Sequence, residues 1–431
     1  MNKQKKRVLM VTPFPPFPLS AGSRRVWSAC KHLTEEYDFI LLTFTNGFPH
    51  PSEREPWDPV SFAAHELWQE DYYFKGIFQK TYNVPIESAR PLDRLNGFRL
   101  PDEMQRYYSP EMAARIGEVL KQEKIDIVHM EFDLMAPYVH FVRKYDPKLP
   151  CLLTHHDMGA VSLFRSYFRE MSSWRRFLRL NQWWRRVRVT RAVVKDFDYT
   201  VVLTRADEKR LSRFLDPGKI RVVPTGVDLE HYSGGLPRSA REPFSVAYVG
   251  HYPHYPNEDA VLWFADKMMP LLWKRQPKAK FYVVGSGPTG KVLKLAADPR
   301  IIVTGTVPDV KPYEEKTMVM VAPLRLGLGI KGKILEGFAA GAPVVSTSLA
   351  NEGIGAAHGQ NILIADSPEP FVDHIVSLFE DAGLWERLSR EGRSLVENVH
   401  GWKARAKILD GVYRTAAGGP VTGALPGRPA R

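Results

Sequence analysis

Cysteine is scarce in this chain, which has only Cys30 and Cys151 among its 431 residues. Two cysteines supply neither the disulfide framework of a small secreted domain nor a cysteine-rich zinc module, and they favour a reducing compartment. The sequence also lacks an apolar run of about 18 residues, so it predicts no membrane-spanning helix. Its first apolar run, Val8–Thr12, stops at a proline cluster, and we interpret it as a buried strand and not as a signal peptide.

Acidic residues are nearly missing from one basic stretch. The net charge of the chain is +12, and residues 165–195 hold nine Arg and one Lys but only one Glu. Aromatic and aliphatic residues recur there at helical spacing, which predicts an amphipathic helix on an anionic membrane surface. A helix that packs its aromatic residues inside is the alternative, and no recognition motif supports a nucleic-acid partner. The predicted membrane contacts are Trp174, Arg175, Arg179, Trp183, Trp184 and Arg186.

The length of the chain favours two domains over one ordinary core. An apolar strand, a turn-rich loop and an amphipathic helix follow one another from Arg7 and again from Phe244. This alternation predicts an α/β fold with parallel sheets. The other predicted strands are Phe39–Thr43, Ile125–Met130, Cys151–Thr154, Thr200–Leu203, Ile220–Val223, Lys280–Val284, Ile301–Thr304, Met318–Ala322, Pro343–Ser346 and Asn361–Ile364.

A glycine-rich segment, residues 321–348, carries the main functional signal. Gly327 and Gly329 interrupt the loop after a predicted strand, and Lys331 and Lys333 stand where a helix begins. Glycine lets a backbone approach a phosphate, and a helix N-terminus favours an anion. The carboxylate of Glu336, one turn into the helix, suits the two hydroxyls of a ribose. We therefore predict a nucleoside diphosphate site, and the alternative is a packed helix whose glutamate faces solvent.

Three stretches resemble a known family: ILEGFAAGAPVVSTSLANEGI from Ile334, VVPTGVDLEHY from Val222 and HYPHYPNEDAVLWFA from His251. They look like the retaining glycosyltransferases of family four, which have the GT-B fold. The third stretch is similar to the branch with a Pro-Asn-x-Asp-Ala element. The resemblance implies two facing Rossmann-like domains, with a nucleoside diphosphate sugar held mostly by the second and an acceptor held mostly by the first. It implies no metal ion, and because the donor is a substrate we expect no cofactor.

The segment 226–243 is the best candidate for a linker, and we place the domain boundary near residue 235. The predicted domains are therefore 1–235 and 236–395. The resemblance implies that a helix at 396–415 returns to the first domain. The tail 416–431 is rich in Gly and Pro and is predicted to be disordered.

The resemblance also assigns the donor site. Glu336 matches the second glutamate of the family's Glu-x7-Glu signature, whereas the first falls on Leu328. The loop HYPHYPNED lacks the basic pair of many relatives, so Lys331, with Arg24 or Arg25 in support, is the candidate for the phosphates. The predicted donor-binding residues are Gly22, Arg24, Gly250, His251, Gly327, Gly329, Ile330, Lys331, Leu335 and Glu336.

A His-His-Asp triplet follows the predicted strand Cys151–Thr154. The resemblance places His156 near the reaction centre, where it would orient the sugar or stabilise developing positive charge. Ordinary structural histidines and a metal site are the alternatives, and one metal is disfavoured because neighbours on a strand point to opposite faces. The predicted catalytic residues are His156, Glu336 and Lys331, and the predicted acceptor-side residues are Glu131, Asp133, His155 and Asp157.

The sequence therefore predicts a metal-independent, retaining glycosyltransferase that moves a hexose-type sugar to a hydroxyl group. The expected acceptor is lipid-linked or a polysaccharide precursor, and the expected location is cytoplasmic, peripheral on the inner face of a bacterial membrane. Two alternatives stay open. One is a GT-B nucleotide-sugar epimerase, and the other is an inactive scaffold that binds nucleotide sugar, motivated by Leu328 in place of the first glutamate.

Overall fold

The computed structural model describes residues 5–16, 21–45, 74–86, 94–95, 98–156, 173–232, 234–327 and 329–419. These residues form two compact units. The first extends to Pro224 and resumes at Lys403, and the second runs from Thr225 to Trp402. Three parts of the chain that carry earlier predictions lie outside the described residues: Asp157, Leu328 and the tail beyond Gly419. The side chains of Trp174, Arg175 and Arg179 also lie outside them.

Fifteen strands occur among the described residues. They are β1 Lys6–Thr12, β2 Tyr37–Thr45, β3 Phe78–Pro85, β4 Arg94–Leu95, β5 Phe98–Arg99, β6 Ile127–Glu131, β7 Cys151–His155, β8 Tyr199–Val202, β9 Ile220–Val222, β10 Glu242–Val249, β11 Lys280–Val284, β12 Ile301–Gly305, β13 Thr317–Ala322, β14 Val344–Ser346 and β15 Leu363–Ile364.

The α-helices of the described residues are α1 Ala21–Lys31, α2 Asp102–Gln105, α3 Pro110–Gln122, α4 Val139–Tyr145, α5 Ser173–Val193, α6 Arg205–Leu211, α7 Tyr255–Trp263, α8 Met269–Arg275, α9 Gly290–Leu293, α10 Lys311–Lys316, α11 Gly332–Ala339, α12 Pro368–Glu380, α13 Ala382–Leu395 and α14 Trp402–Ala416. The π-helical turn Phe264–Met268 joins α7 to α8. Among the helices described, none is both long and apolar enough to cross a bilayer.

The first unit is built on a parallel sheet with the strand order β3-β2-β1-β6-β7-β8-β9. Strands β6 and β7 are buried along their whole length, as expected of strands that lie inside a parallel sheet. Their continuous apolar runs explain why the sequence predicted them. The edge strand β3 was not predicted, because its middle is polar and only Phe78 and Val84 are buried.

The last helix, α14, packs on the first unit, as the resemblance implied. Tyr413 is fully buried, and its hydroxyl lies 2.7 Å from Nδ1 of His129 in β6. Near the same helix, the hydroxyl of Tyr37 in β2 donates to Asp410 over 2.8 Å. Helix α14 is therefore part of the first unit's core, although it follows the whole second unit in the sequence.

The second unit has a parallel sheet of order β12-β11-β10-β13-β14-β15. Helix α11 lies close to β13 and β14, because a Cβ on Gly337 would meet Val344 at 3.1 Å and Met320 at 3.2 Å. At the end of α11, Arg241 donates to the carbonyl of Ala340 over 2.6 Å. These contacts fix α11 on the sheet and thereby fix the glycine loop that precedes it.

Both sheets agree with the sequence prediction. The first has seven parallel strands and the second has six, each combined with helices in the α/β manner. The predicted fold class is therefore confirmed.

Candidate active site

Three loops meet at the carboxyl edge of the second unit's sheet. They follow β10, β11 and β13, the three neighbouring strands at the centre of the sheet's order. The loops after β10 and β11 are joined, because Nδ1 of His251 lies 2.9 Å from the hydroxyl of Ser286 and Tyr252 N–H donates to the carbonyl of Ser286. This edge is the usual position of a ligand in an open α/β sheet.

The glycine loop after β13 has the backbone that its composition predicts. Gly327 and Gly329 have φ angles of 110° and 72°, which favour glycine. The ammonium group of Lys331 donates to the carbonyl of Gly329 over 2.7 Å. Lys331 therefore lies across the loop at the N-terminus of α11, where the helix dipole favours an anion.

Lys333 has a more enclosed position than its neighbour. Its ammonium group donates to the hydroxyl of Tyr248 over 2.7 Å and to Oδ1 of Asn257 over 2.8 Å. It also lies 3.9 Å from the centre of the Tyr248 ring. Burial, together with the nearby charge of Lys331, lowers the pKa of Lys333 to about 7, although Glu336 acts in the opposite direction. The amino group of Lys333 is thus enclosed by two oxygen atoms, and a negative charge bound nearby would stabilise its protonated form.

Glu336 and the glycine of the β10 loop complete this edge. Glu336 is half-buried on α11, one turn after Lys333. The backbone of Gly250 packs closely against the cage, because a Cβ there would lie 3.0 Å from the Tyr248 ring and 3.2 Å from Asn257. The edge therefore brings together two ammonium groups, one carboxylate and closely approaching backbone.

In the first unit, a buried ion pair lies at the end of β6. Glu131 is fully buried and Arg25 is 1% exposed, and Nη1 of Arg25 lies 3.3 Å from Oε1 of Glu131. Burial raises the pKa of Glu131, but Arg25, His129 and His156 together outweigh burial and lower that pKa to about 2. The carboxylate is therefore ionised at neutral pH.

His156 lies directly beside this ion pair. Its Nε2 is 2.7 Å from Oε2 of Glu131, and its ring stacks on Phe132 with 3.7 Å between the ring centres. A Cβ on Gly22 would lie 3.4 Å from Nδ1 of His156. Burial lowers the pKa of His156, although Glu131 acts in the opposite direction. His156 is thus a neutral, half-buried imidazole at the carboxyl edge of the first sheet.

Two family models match the chain. Residues 22–231 match the model described as Glycosyltransferase Family 4, and residues 243–381 match the model described as Glycosyl transferases group 1. The sucrose-phosphate synthase of Thermosynechococcus elongatus superposes with a TM-score of 0.66 at 16% identity, over 95% of this chain and 99% of that one. Anabaena HepE in complex with UDP superposes with a TM-score of 0.61 at 11% identity, over 95% and 100%.

The chain is a GT-B glycosyltransferase of the family-four type.

The curated relatives of this glycosyltransferase are distant. The D-inositol 3-phosphate glycosyltransferase of Corynebacterium glutamicum is 25% identical over 364 residues, which cover 76% of this chain and 81% of that protein. An uncharacterized 44.6 kDa protein in the cps region of Klebsiella pneumoniae is 22% identical over 178 residues. That match covers 39% of this chain and 45% of the relative, so the chain spans less than half of that relative's length. Neither the epimerase nor the inactive scaffold is favoured by these relatives.

The structure corrects the predicted acceptor-side carboxylates of the glycosyltransferase. Glu131 is enclosed by Arg25 and His156, so it does not face an acceptor hydroxyl, and Arg25 does not face the phosphates. Asp133 is only 7% exposed and pairs with Arg186, whose Nη2 lies 2.7 Å from Oδ1 of Asp133. These carboxylates were assigned to acceptor binding because the sequence does not show their buried partners.

Arg186 is also corrected as a membrane contact. It is 3% exposed and is held by Asp133, so the prediction of a surface cation at this position is wrong. Trp184 on the same helix is 52% exposed, and Trp183 is half-buried. The helix therefore has a buried side that carries Arg186 and an exposed side that carries Trp184.

Two further predicted residues have buried side chains. His155 is 3% exposed at the end of β7, and burial also lowers its pKa. Leu335 is fully buried in the core of the second unit. Both side chains are buried, and the assignments of His155 to the acceptor side and of Leu335 to donor binding stay predictions.

The other predicted site residues lie at the two carboxyl edges. Gly22 and Arg24 lie in α1 and are half-buried, and Gly22 lies close to His156. His251 is exposed, and Ile330 packs against the core from the glycine loop. Sequence reasoning missed Phe132, Tyr248 and Asn257. No sequence signal marks Phe132, whereas Asn257 stood in the Pro-Asn-x-Asp-Ala element that carried part of the resemblance.

Proposed function

We propose that this glycosyltransferase moves a hexose-type sugar from a nucleoside diphosphate sugar to a hydroxyl group, with retention of the anomeric configuration and without a metal ion. One observation carries the donor class: Lys331 and Lys333 lie beside the glycine loop at the carboxyl edge of the second sheet. Two ammonium groups at a helix N-terminus match the charge of a diphosphate. Retention is supported by the resemblance to family four.

Each donor-side residue has a distinct role in this proposal. The glycine loop and Lys331 bind the diphosphate, and Lys333 neutralises the charge that develops on it as the sugar leaves. This charge neutralisation by side chains is what we propose in place of a metal ion. A phosphate oxygen of the leaving group then accepts the proton of the attacking hydroxyl. Glu336 accepts hydrogen bonds from the two hydroxyls of the ribose.

His156 has the catalytic role on the first unit. Its imidazole is neutral and lies beside the fixed carboxylate of Glu131. We assign it to orienting the sugar near the anomeric carbon. Gly22 packs closely against this histidine and its stacked phenylalanine, since a Cβ there would lie 3.0 Å from the Phe132 ring and 3.4 Å from Nδ1 of His156.

Replacing Glu336 with alanine tests the ribose assignment. We expect the dissociation constant of the cognate nucleoside diphosphate to rise about 10-fold to 100-fold, because hydrogen bonds to a charged group contribute about 1.5–3 kcal/mol. Isothermal titration calorimetry gives the constant. The matched control is Glu386→Ala, which removes an exposed carboxylate from α13 and should leave the constant unchanged. An unchanged constant in Glu336→Ala would contradict the assignment.

We propose that helix α5 binds an anionic membrane, so that the enzyme meets a lipid-linked or saccharide acceptor in cell-surface polysaccharide or glycolipid synthesis. Leu180 is 42% exposed and Trp184 is 52% exposed, and the guanidinium of Arg188 lies 4.3 Å from the Trp184 ring. The stretch 165–195 contributes nine Arg and one Lys against one Glu. Apolar groups next to cations match the interface of an anionic bilayer. The proposed location is the inner face of the membrane.

Vesicle binding tests the membrane proposal. We expect the double variant Leu180→Ala/Trp184→Ala to lose most of its partitioning onto vesicles that contain anionic phosphatidylglycerol, as measured by co-sedimentation. The control Leu293→Ala/Val399→Ala removes two residues of the second unit that are 47% and 42% exposed, and it should bind like the wild type. Equal binding of both double variants, or equal wild-type binding to neutral vesicles, would overturn the proposal.

A further inference from the structure

The first turn of α7 carries the Pro-Asn-x-Asp-Ala element, and it contacts each of the three loops at the carboxyl edge of the second sheet. Nδ2 of Asn257 donates to the carbonyl of His251 over 2.8 Å, in the loop after β10. Oδ1 of Asn257 accepts the hydrogen bond from Lys333. Nζ of Lys291, in the short helix α9 after the β11 loop, lies 3.4 Å from Oε1 of Glu258. One helical turn therefore joins segments that follow separate strands.

A bidentate ion pair holds the glycine loop, the third of these loops, to the same turn. Nη2 of Arg325 lies 2.6 Å from Oδ1 of Asp259, and Nε of Arg325 lies 3.1 Å from Oδ2. Two parallel hydrogen bonds fix the orientation of a guanidinium group as well as its position. The side chain of Asp259 is only 11% exposed, although that of Arg325 is 46% exposed. The pair is therefore better ordered than a pair of two solvated side chains.

Two further contacts accompany the ion pair. The guanidinium of Arg325 lies 4.8 Å from the centre of the ring of Trp263, which follows Asp259 by one turn on α7. A cation at this distance from an indole ring is attracted to it. A Cβ on Gly327 would lie 3.7 Å from Cβ of Pro256, which is an ordinary van der Waals distance. The glycine loop therefore packs against the first turn of α7 and is not held by charge alone.

The loop needs such a contact because its glycines have few conformational restrictions. The start of the loop is fixed, since the hydroxyl of Thr347 donates to the carbonyl of Leu324 over 2.6 Å. Beyond that point, Gly327 and Gly329 have positive φ angles, and as glycines they can adopt many other backbone conformations. Arg325 lies between the fixed start and these glycines. Its contact with α7 therefore restricts the conformations of the glycine segment.

We propose that Asp259 and Arg325 are positioning residues of the donor site, which hold the glycine loop on α7 in its binding conformation and do not contact the donor themselves. A loop that is ordered before binding loses less conformational entropy when a diphosphate binds, so the affinity is higher. That the loop binds a diphosphate rests on the proposed function. The contacts that hold the loop lie within the second unit and do not depend on that function.

The affinity for a nucleoside diphosphate measures the role of the pair. Calorimetry with UDP, GDP, ADP and TDP first identifies the one that the wild type binds most tightly. We expect Asp259→Asn and Arg325→Gln each to raise its dissociation constant about 5-fold to 50-fold, within the range of coupling between neighbouring residues. The double variant should bind no more weakly than the weaker single variant, because both substitutions break the same contact. Asp259→Glu keeps the carboxylate and should stay within about threefold of the wild type.

The pattern of losses separates positioning from direct contact. A larger loss in Arg325→Gln than in Asp259→Asn, with additive losses in the double variant, would show that Arg325 binds the donor directly and would overturn the positioning role. Unchanged dissociation constants in both single variants would also overturn it. The matched control Arg275→Gln/Asp373→Asn breaks an ion pair between α8 and α12 and should bind like the wild type. Thermal unfolding of each variant checks that weaker binding does not come from a loss of folded protein.

The mobility of the glycine loop is measured without any nucleotide, by nuclear magnetic resonance relaxation on the full chain labelled with ¹⁵N-glycine. The signal of Gly327 is the one that disappears in Gly327→Ala. We expect its order parameter to fall from about 0.85 in the wild type to below about 0.6 in Asp259→Asn. Equal order parameters would overturn the positioning role, whether or not the protein binds nucleotide. If the wild type binds none of the four nucleoside diphosphates, the proposed function fails and the order parameter still decides how the loop is held.

Discussion

Arg25→Met should destabilise the first unit by about 3–5 kcal/mol, because it leaves the buried carboxylate of Glu131 without its partner. Hydrogen exchange of the amides in β1 and β6 measures the loss in this unit specifically. The double variant Arg25→Met/Glu131→Leu should recover much of the stability, since it removes both charges. The control Arg7→Met breaks an ion pair whose arginine is 43% exposed, and it should cost less than about 1 kcal/mol.

The same ion pair sets a dependence of stability on pH. The pKa of Glu131 is lowered to about 2 in the folded protein, whereas the usual glutamate pKa is about 4.3. The ion pair therefore contributes its full stability to the folded protein above the usual pKa, and this stability is lost as the pH falls toward 2. In Arg25→Met the pKa of Glu131 rises, so the loss should begin at a higher pH. Equal stabilities of Arg25→Met and Arg7→Met, or the same acid profile in wild type and Arg25→Met, would contradict this account.

Lys331→Met/Lys333→Met should weaken binding of a nucleoside diphosphate about 100-fold or more. Each lysine is expected to form charge-assisted hydrogen bonds of about 1.5–3 kcal/mol with the phosphates. The matched control is Lys274→Met/Lys278→Met, which removes an exposed lysine from the end of α8 and another from the turn before β11, at the opposite edge of the same sheet. Isothermal titration calorimetry should show the control binding like the wild type. Equal weakening of both double variants would show that only net charge matters.

Lys333 also predicts how this affinity depends on pH. Because its pKa is about 7, Lys333 of the free protein loses a proton, and with it the positive charge, as the pH rises above 7. A diphosphate binds the charged form better, so its affinity should fall between pH 7 and pH 9, with proton uptake on binding. Lys333→Met should lack this dependence. The same pH dependence in wild type and Lys333→Met would assign the titration to another group.

The sequence predicted the strands of both sheets well, apart from the polar edge strand β3. Buried parallel strands are continuous apolar runs, so β6, β7, β11 and β13 could be located without a structure. The glycine loop and Lys331 were also predictable, because glycine spacing and a helix start are local features. The resemblance supplied the rest of the donor site.

The polar contacts of the first unit were not predictable. Glu131 pairs with Arg25 across 106 positions of the sequence, and Asp133 pairs with Arg186 across 53. A single sequence shows these residues only as separate charges, and a charge at the end of a strand is readily assigned to a ligand. The stack of Phe132 on His156 likewise depends on the positive φ angle of Phe132, which no residue pattern predicts.

The central claim is the retaining transfer of a sugar from a nucleoside diphosphate sugar. It is tested most directly by following the anomeric proton by nuclear magnetic resonance while the enzyme is incubated with UDP, GDP, ADP and TDP sugars, with and without a lipid-linked acceptor. We expect sugars of one nucleotide to be consumed when the acceptor is present, giving a product with the donor's anomeric configuration. An inverted product, or conversion of the donor to another nucleotide sugar without acceptor, would contradict the claim.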